Sequence, residues 1–381
     1  MSRRRFPPLS ALALLAGLAL PALAHGQDCP APGQWLAGDG TPVTTDALMR
    51  AMADQEVVLL GEQHDRADHH RWQLHTLAGL HALRPDLVIG LEMLPRESQP
   101  ALDAWVAGEL TEAEFLEASG WYAHWRLDPD LYLPILHFAR LHGIPLKALN
   151  VSGELRRRLA QEGWEAIPAA ERYGITPPAA PAEGYRRDLE TAFAEHDLTD
   201  ETVLERFIDA QLVWDRAMAT ALAEAAEGDA LVVGLMGWRH LTNGHGVPHQ
   251  LADLGVTDQR ALLPRSPGDA CEPPPDGLAD AFFVLAEPPG GEPPAPPRLG
   301  VLIDAGEDGV TVQAVEAGSV AEATGLREGD IILSAAGRPL ASPGELSALI
   351  HDLLPGTLLP LEVRRGDATR EMLARFPSVT R

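Results

Sequence analysis

The sequence predicts an α/β fold, a mostly parallel sheet flanked by helices, followed by a small mixed β-rich domain. Three observations carry this. Over the first two thirds of the chain, short continuous apolar runs alternate with long helical patterns, which is how βαβ units around a sheet buried on both faces read. The tract Glu287-Pro288-Pro289-Gly290-Gly291-Glu292-Pro293-Pro294-Ala295-Pro296-Pro297 can form neither helix nor inner strand and reads as a semi-rigid spacer. Finally, 381 residues exceed what a single core usually holds, so two domains are expected. The division is 1–24, 25–286, a linker at 287–297, and 298–377.

Residues 1–24 come first. Arg3, Arg4 and Arg5 precede an apolar run that ends in Ala22-Leu23-Ala24, the pattern of a cleavable secretory signal peptide. The run falls short of the roughly 20 apolar residues that span a bilayer, and no later segment reaches that length. The expectation is a periplasmic or secreted protein with no membrane span. Ser2-Arg3-Arg4-Arg5-Phe6 also fits the start of a twin-arginine signal. Gly26-Gln27-Asp28 is a poor lipobox, so lipidation of Cys29 is rejected. Cys29 and Cys271 suit an oxidising compartment, and whether they pair is left open. Loss of the three signal arginines takes the net charge from −25 to −28, which argues against nucleic acid or an anionic membrane as partner.

In the large domain, strands are expected at 56–60, 87–91, 144–149, 230–235 and 260–263, with 281–285 closing the domain. Helices are expected at 67–83, 130–141 and 201–227. Ligands of such sheets bind at the carboxyl ends of the strands, where loops and helix N-termini converge. Gly61-Glu62-Gln63-His64 follows the first strand, Gly90-Leu91-Glu92 ends the second, and Gly237-Trp238-Arg239-His240 follows the fourth, with Asn243-Gly244-His245-Gly246 beyond. Two carboxylates and two or three imidazoles thus arrive at one rim. Together they suit a divalent metal or acid/base chemistry. Taken singly, each such residue is more often a helix cap or a local salt bridge. His69, His70, His75 and His81, on the helix that follows, read mostly as solvated or packing residues.

Gly61-Glu62-Gln63-His64, Gly90-Leu91-Glu92-Met93, Gln99 with Leu102-Asp103, Gly120-Trp121 with Trp125, Tyr132 with Pro134-Ile135-Leu136, Ala148-Leu149-Asn150 and the run from Gly237 to Pro248 occur in an order that resembles the ChaN haem-binding family. That resemblance implies an envelope protein, associated with iron acquisition, that binds haem on an α/β domain. It also places the chain near the Tiki-like and erythromycin-esterase-like proteins, where similar Glu/His rims are thought to serve metal-dependent hydrolysis. For haem, an axial ligand and an apolar slot are required. Tyr132, Tyr173 and Tyr185 are candidate ligands, Trp121 and Trp125 candidate walls, and a histidine ligand stays open. Tyr132 also falls at helical spacing with Ile135 and Leu136, which equally suits a core role. For a hydrolase, Glu62, His64 and His240 would hold a metal or activate water, with Glu92 as ligand or general base. No complete metal signature or Gly-x-Ser-x-Gly motif supports it.

The run from Arg298-Leu299-Gly300-Val301 through Gly325-Leu326-Arg327-Glu328-Gly329-Asp330-Ile331-Ile332-Leu333 to a last strand at 358–363 resembles a bacterial PDZ domain, with a helix at 345–353. Such domains add an extended peptide to a sheet edge and meet its terminal carboxylate with backbone N–H groups. Here Leu299, Gly300 and Val301 would form that loop. The alternative is a docking or dimerising module, which would make a homodimer. A third function class, a scaffold that only positions this module, ranks behind both.

Overall fold

Val57-Val58-Leu59-Leu60 is apolar at every position because both faces of its strand are covered. Val58 and Leu60 enter a core cluster on one face of the sheet, while Val57 and Leu59 enter another on the opposite face. This period-two division recurs along the central strands. It is seen in a computed structural model that describes residues 29–125, 127–194, 201–287, 297–306, 308–351, 353–354 and 356–377. The expected signal peptide and most of the expected linker lie outside the described residues.

The large domain runs β1 (Trp35–Ala37), β2 (Pro42–Val43), α1 (Thr45–Ala53), β3 (Val57–Glu62), α2 (Ala67–Leu83), β4 (Leu87–Pro95), α3 (Gln99–Val106), α4 (Glu112–Ala118), α5 (Trp121–His124), α6 (Leu133–His142), β5 (Leu146–Asn150), α7 (Gly153–Glu162), α8 (Glu183–Ala194), α9 (Glu201–Ala226), β6 (Leu231–Gly237), α10 (Val247–Asp253), β7 (Gln259–Arg265) and β8 (Ala281–Val284). Its eight strands form one sheet in the order β2-β1-β8-β7-β3-β6-β4-β5. Strands β8, β7, β3, β6, β4 and β5 are mutually parallel, and β1 and β2 add an antiparallel edge. Helices α2, α3 and α6 pack on one face, α9 and α10 on the other.

The structure departs from the sequence expectations at element ends. The helix expected from residue 130 begins at Leu133, because Pro129 opens a separate turn and Pro134 starts the helix proper. Strand β4 continues to Pro95, which carries Glu92 inside the strand rather than beyond it. Cys29 and Cys271 form a disulfide across 242 residues of sequence, next to the edge where β1 pairs β8. No helix among the described residues is long and apolar enough to cross a membrane.

The small domain runs β9 (Val301–Gly306), β10 (Gly309–Val315), α11 (Val320–Thr324), β11 (Ile331–Ala335), β12 (Arg338–Pro339), α12 (Pro343–His351), β13 (Leu358–Arg365) and β14 (Ala368–Arg375). Its sheet is antiparallel throughout, in the order β14-β13-β11-β10-β9, with β12 paired to β11. Strand β9 is therefore an edge, and the core of Val310, Val312, Ile332, Leu346 and Leu361 lies beside it.

Candidate functional site

Three parallel strands end side by side at one rim. The apolar run of β3 leads into Glu62, β4 carries Glu92, and β6 ends at Gly237 before the turn that holds His240. Both glutamates are 1% exposed. Because a buried carboxylate is costly unless partnered, the contacts around each one are informative. Glu62 Oε1 lies 2.6 Å from His64 Nδ1 and accepts from the Tyr132 hydroxyl at 3.1 Å. Glu92 Oε2 accepts from the Gly237 backbone N–H at 2.6 Å, and its Oε1 lies 3.5 Å from His240 Nε2. A Cβ on Gly237 would stand 2.9 Å from the His64 ring and 3.6 Å from Glu92, so the glycine is what lets the pairs meet. Glu62, His64, Glu92 and His240 thus form one cluster.

The other nitrogen of His240 reveals a residue that the sequence reading missed. Its Nδ1 lies 2.5 Å from Oδ1 of Asp215, on α9, and Asp215 Oδ2 accepts from the Tyr185 hydroxyl at 2.5 Å. His240 is bracketed by two buried carboxylates. Burial opposes its charge, but Glu92 and Asp215 outweigh that and push its pKa up to about 10. Burial likewise works against charge on His64, and its bond to Glu62 together with nearby Glu92 raises it nonetheless. Burial would raise the Glu92 carboxyl, yet the charge of His240 holds it below the usual range. Glu62 Oε2 is buried without a hydrogen-bond partner among the described residues, and Glu92 Oε1 has only its 3.5 Å ion pair with His240.

Two histidines of α2 are more than solvated or packing residues. His69 Nδ1 accepts from the backbone N–H of Gln63, and burial drops its pKa to about 4, as an acceptor requires. His70 Nε2 lies 3.2 Å from the His64 carbonyl. Both hold the loop that presents His64. His75 on the same helix is exposed.

The tyrosines and tryptophans named as haem candidates have well-defined surroundings. Tyr132 is 1% exposed, and burial beside the Glu62 charge moves its phenol further from ionisation. Tyr185 is shifted the same way, by burial and by Asp215. Tyr173 is more exposed, but its hydroxyl donates to Glu97, which raises its pKa. Trp121 is fully buried and donates to the Leu127 carbonyl, while the Trp125 ring meets His64 edge-on at 4.6 Å. These two rings cap the polar cluster.

Beside the cluster, beyond the ends of β4 and β5, opens a cleft of about 500 Å³. Met93, Val151, Phe207 and Trp214 line it, together with Arg156 and Arg157 from α7. Trp214 separates it from the cluster, with its ring 4.9 Å from His240 on one side and 4.5 Å from the Arg156 guanidinium on the other. Arg156 Nε is buried without a hydrogen-bond partner among the described residues. None of the three tyrosines lines this cleft.

A second groove of about 500 Å³ runs between β9 and α12, bordered by Arg298, Leu299, Gly300, Val301, Leu346 and Ile350. Gly300 has φ +77°, and a Cβ there would stand 2.3 Å from that of Ser319. Glycine is demanded here by the chain's own turn, whatever the groove holds.

The molecule is therefore an α/β ligand-binding domain, with a carboxylate–imidazole cluster beside an arginine-bearing cleft, joined to a domain with a peptide-sized groove at a sheet edge. Residues 48–251 match the family model described as haem-binding uptake, Tiki superfamily, ChaN, and residues 297–374 match that of the PDZ domain. The chain belongs to this ChaN haem-binding family and carries a PDZ domain after it. Among solved structures, ChaN of Campylobacter jejuni, described as binding haem cofacially, is similar at 17% identity and a TM-score of 0.53, over 67% of this chain and 97% of that one. The HtrA3 PDZ domain bound to a phage-derived ligand is 28% identical over 22% of this chain and 85% of that one, at a TM-score of 0.20. No curated protein matches the sequence.

Proposed function

We propose that the protein is exported and handles haem or haem iron in the cell envelope, with haem in the cleft and a partner's C-terminus in the PDZ groove. The observation that carries the haem reading is the cleft's composition. Its apolar and aromatic walls suit a porphyrin plane, and two adjacent guanidinium groups suit a pair of propionates. Arg156 and Arg157 would hold the propionates, and Val151, Phe207 and Trp214 would flank the macrocycle. Burial lowers the pKa of Arg156, so an anion beside it would compensate a desolvated charge. Haem, when bound, supplies an iron centre whose remaining ligands set whether it is stored, passed on or reactive. Titration of the purified mature chain with haemin should give a shifted Soret band that saturates at one haem per chain. An unshifted band, or one that never saturates, sinks the reading.

A second reading rests on a separate observation, the buried Glu62 Oε2 without a hydrogen-bond partner among the described residues, beside the Glu92–His240 pair. Two buried carboxylates set among imidazoles supply the donor types that suit zinc or manganese, although their donor atoms do not gather within 4.8 Å of one another as those of Asp128, Asp130 and His351 do. In a metal-dependent hydrolase, Glu62, His64, Glu92 and His240 would hold the ion or activate water, with Asp215 orienting the His240 ring. Zinc or manganese retained through dialysis, and lost with His64→Ala, would support this reading. A chain that leaves dialysis metal-free would remove it.

Export rests on residues 1–24, and the described residues offer no membrane-spanning helix in conflict with it. For the PDZ domain, the free edge of β9 beside an apolar groove supports strand addition by a C-terminal peptide. Peptides with an amidated C-terminus should fail to bind where the free acids bind. Equal binding of both would refute a role for the carboxylate.

A further inference from the structure

We infer that helix α12 is a wall shared by the two domains: one side closes the PDZ groove, the other docks on α5, and a peptide that enters the groove releases the dock. The inference rests on the peptide reading of that groove. It starts from the two sides of the helix. At about 3.6 residues per turn, Gly344 and His351 fall on one side of α12, and Leu346 and Ile350 fall on the roughly opposite one. Leu346 and Ile350 line the groove. Gly344 and His351 meet the α/β domain.

That contact is built from specific groups. His351 Nε2 lies 2.8 Å from Asp128 Oδ2, with both side chains largely withdrawn from water. The Gly344 backbone lies on Tyr122 of α5: a Cβ there would overlap the Tyr122 Cβ and stand 2.9 Å from its Cγ. Glycine is otherwise a poor helix residue, and here it lets α12 approach α5 closely. Helix α5 is in turn tied to the functional site. Its Ala123 and His124 border the arginine-bearing cleft. Trp121 donates to the Leu127 carbonyl, next to Asp128, and Trp125, which caps the helix, meets the His64 ring edge-on at 4.6 Å.

The direction of the coupling follows from packing. Leu299 and Leu346 line the groove, are 3% and 0% exposed, and belong to one core cluster. A peptide side chain that reaches them has to part α12 from β9, and it pushes the helix towards α5. On that side Gly344 already touches Tyr122, which leaves no slack. Packed interfaces respond to such pressure by switching between arrangements rather than by compressing. The dock therefore opens when peptide binds, and by linkage the docked state holds peptide affinity down.

The test uses the full mature chain and short fluorescent peptides that have a free C-terminus and end in valine, leucine or phenylalanine. In wild type, saturating peptide should speed amide hydrogen exchange over residues 121–125, which a groove isolated from the α/β domain would leave unchanged. D128N lies outside the groove and keeps the shape of Asp128 while removing its charge. It should bind the peptides about two- to fivefold more tightly, the scale of one partly buried ion pair. G344A, whose methyl group favours the helix but not the dock, should do the same. D128N combined with G344A should gain less than the two single changes together, because both act by opening one contact. Exchange over residues 121–125 that is unchanged or slowed by peptide overturns the inference without recourse to any variant, so misfolding of a variant cannot hide its failure. Equal or weaker peptide binding by D128N overturns it too, while leaving the groove reading intact. Failure of every peptide to bind wild type overturns the groove reading, and the inference with it.

Discussion

Asp215→Asn isolates one charge of the polar cluster while keeping its shape. In the folded, metal-free chain, His240 lies 2.5 Å from Asp215 and 3.5 Å from Glu92, and its pKa stands at about 10 against an ordinary 6.5. That shift corresponds to on the order of 5 kcal/mol of stability, shared between the two carboxylates. Its sign follows from the direction. A raised histidine pKa contributes fully below the unfolded value near 6.5, and the contribution disappears as pH climbs towards 10. Wild type should therefore lose about 1.4 kcal/mol per pH unit from this group across that window. With Asp215 replaced by Asn, Glu92 alone holds the proton. The variant should be about 2–3 kcal/mol less stable at pH 6, and its decline with pH should be about half as large. Urea unfolding of the α/β domain at pH 6, 8 and 10, in chelator, reads both quantities. Titrating groups remote from Asp215 are common to the two proteins and cancel in the comparison. Equal declines in wild type and variant would refute the claim that Asp215 sustains the charge on His240.

Three further outcomes follow from features of the same structure. Cys29→Ser should lower the stability of the α/β domain by about 2–5 kcal/mol, because the crosslink closes a 242-residue separation; an unchanged melting temperature in non-reducing buffer would show the bond to be energetically idle. Gly300→Ala combines a left-handed φ with a clash against Ser319, so the PDZ domain should lose about 2 kcal/mol or more and bind C-terminal peptides more weakly, while haemin binding stays as in wild type; full retention of peptide affinity and melting temperature would contradict this. Tyr132→Phe removes one of two donors to Glu62 Oε1 and should cost about 1 kcal/mol with no change in the Soret band; a lost or shifted band would restore Tyr132 as a haem ligand.

Much of the fold is legible because buried parallel strands write themselves as unbroken apolar runs. Val57 to Leu60 and Leu231 to Leu235 are clear, and the Glu and His residues that follow them fall at the rim because such strands end there. Strands β1 and β2, of three and two residues, are too short to show any period, and the strand β8 that pairs β1 lies far along the chain, Ala37 meeting Ala281. Asp215 carried a signal that was there to read. It sits among Leu212, Val213, Met218 and Ala219 on the buried stripe of α9, where a carboxylate needs a specific partner. His69 and His70 gave no comparable hint, since a helix rich in histidine reads the same whether its rings face water or a backbone loop. The cleft itself is assembled from α5, β4, β5, α7 and α9, and no local pattern joins them.

The disulfide between Cys29 and Cys271 has a consequence for how the molecule can come apart. It turns nearly the whole α/β domain into a covalent ring, to which the PDZ domain is joined covalently by one segment of chain and otherwise by contacts such as His351 to Asp128 at 2.8 Å. A protease that nicks any loop within the ring opens it but releases nothing, whereas one cut between residues 287 and 297 leaves the PDZ domain held only by non-covalent contacts such as His351 to Asp128. Cleavage would therefore sort the two modules in non-reducing conditions. The α/β domain persists as one covalent body, and the PDZ domain is the part that a single cut could shed.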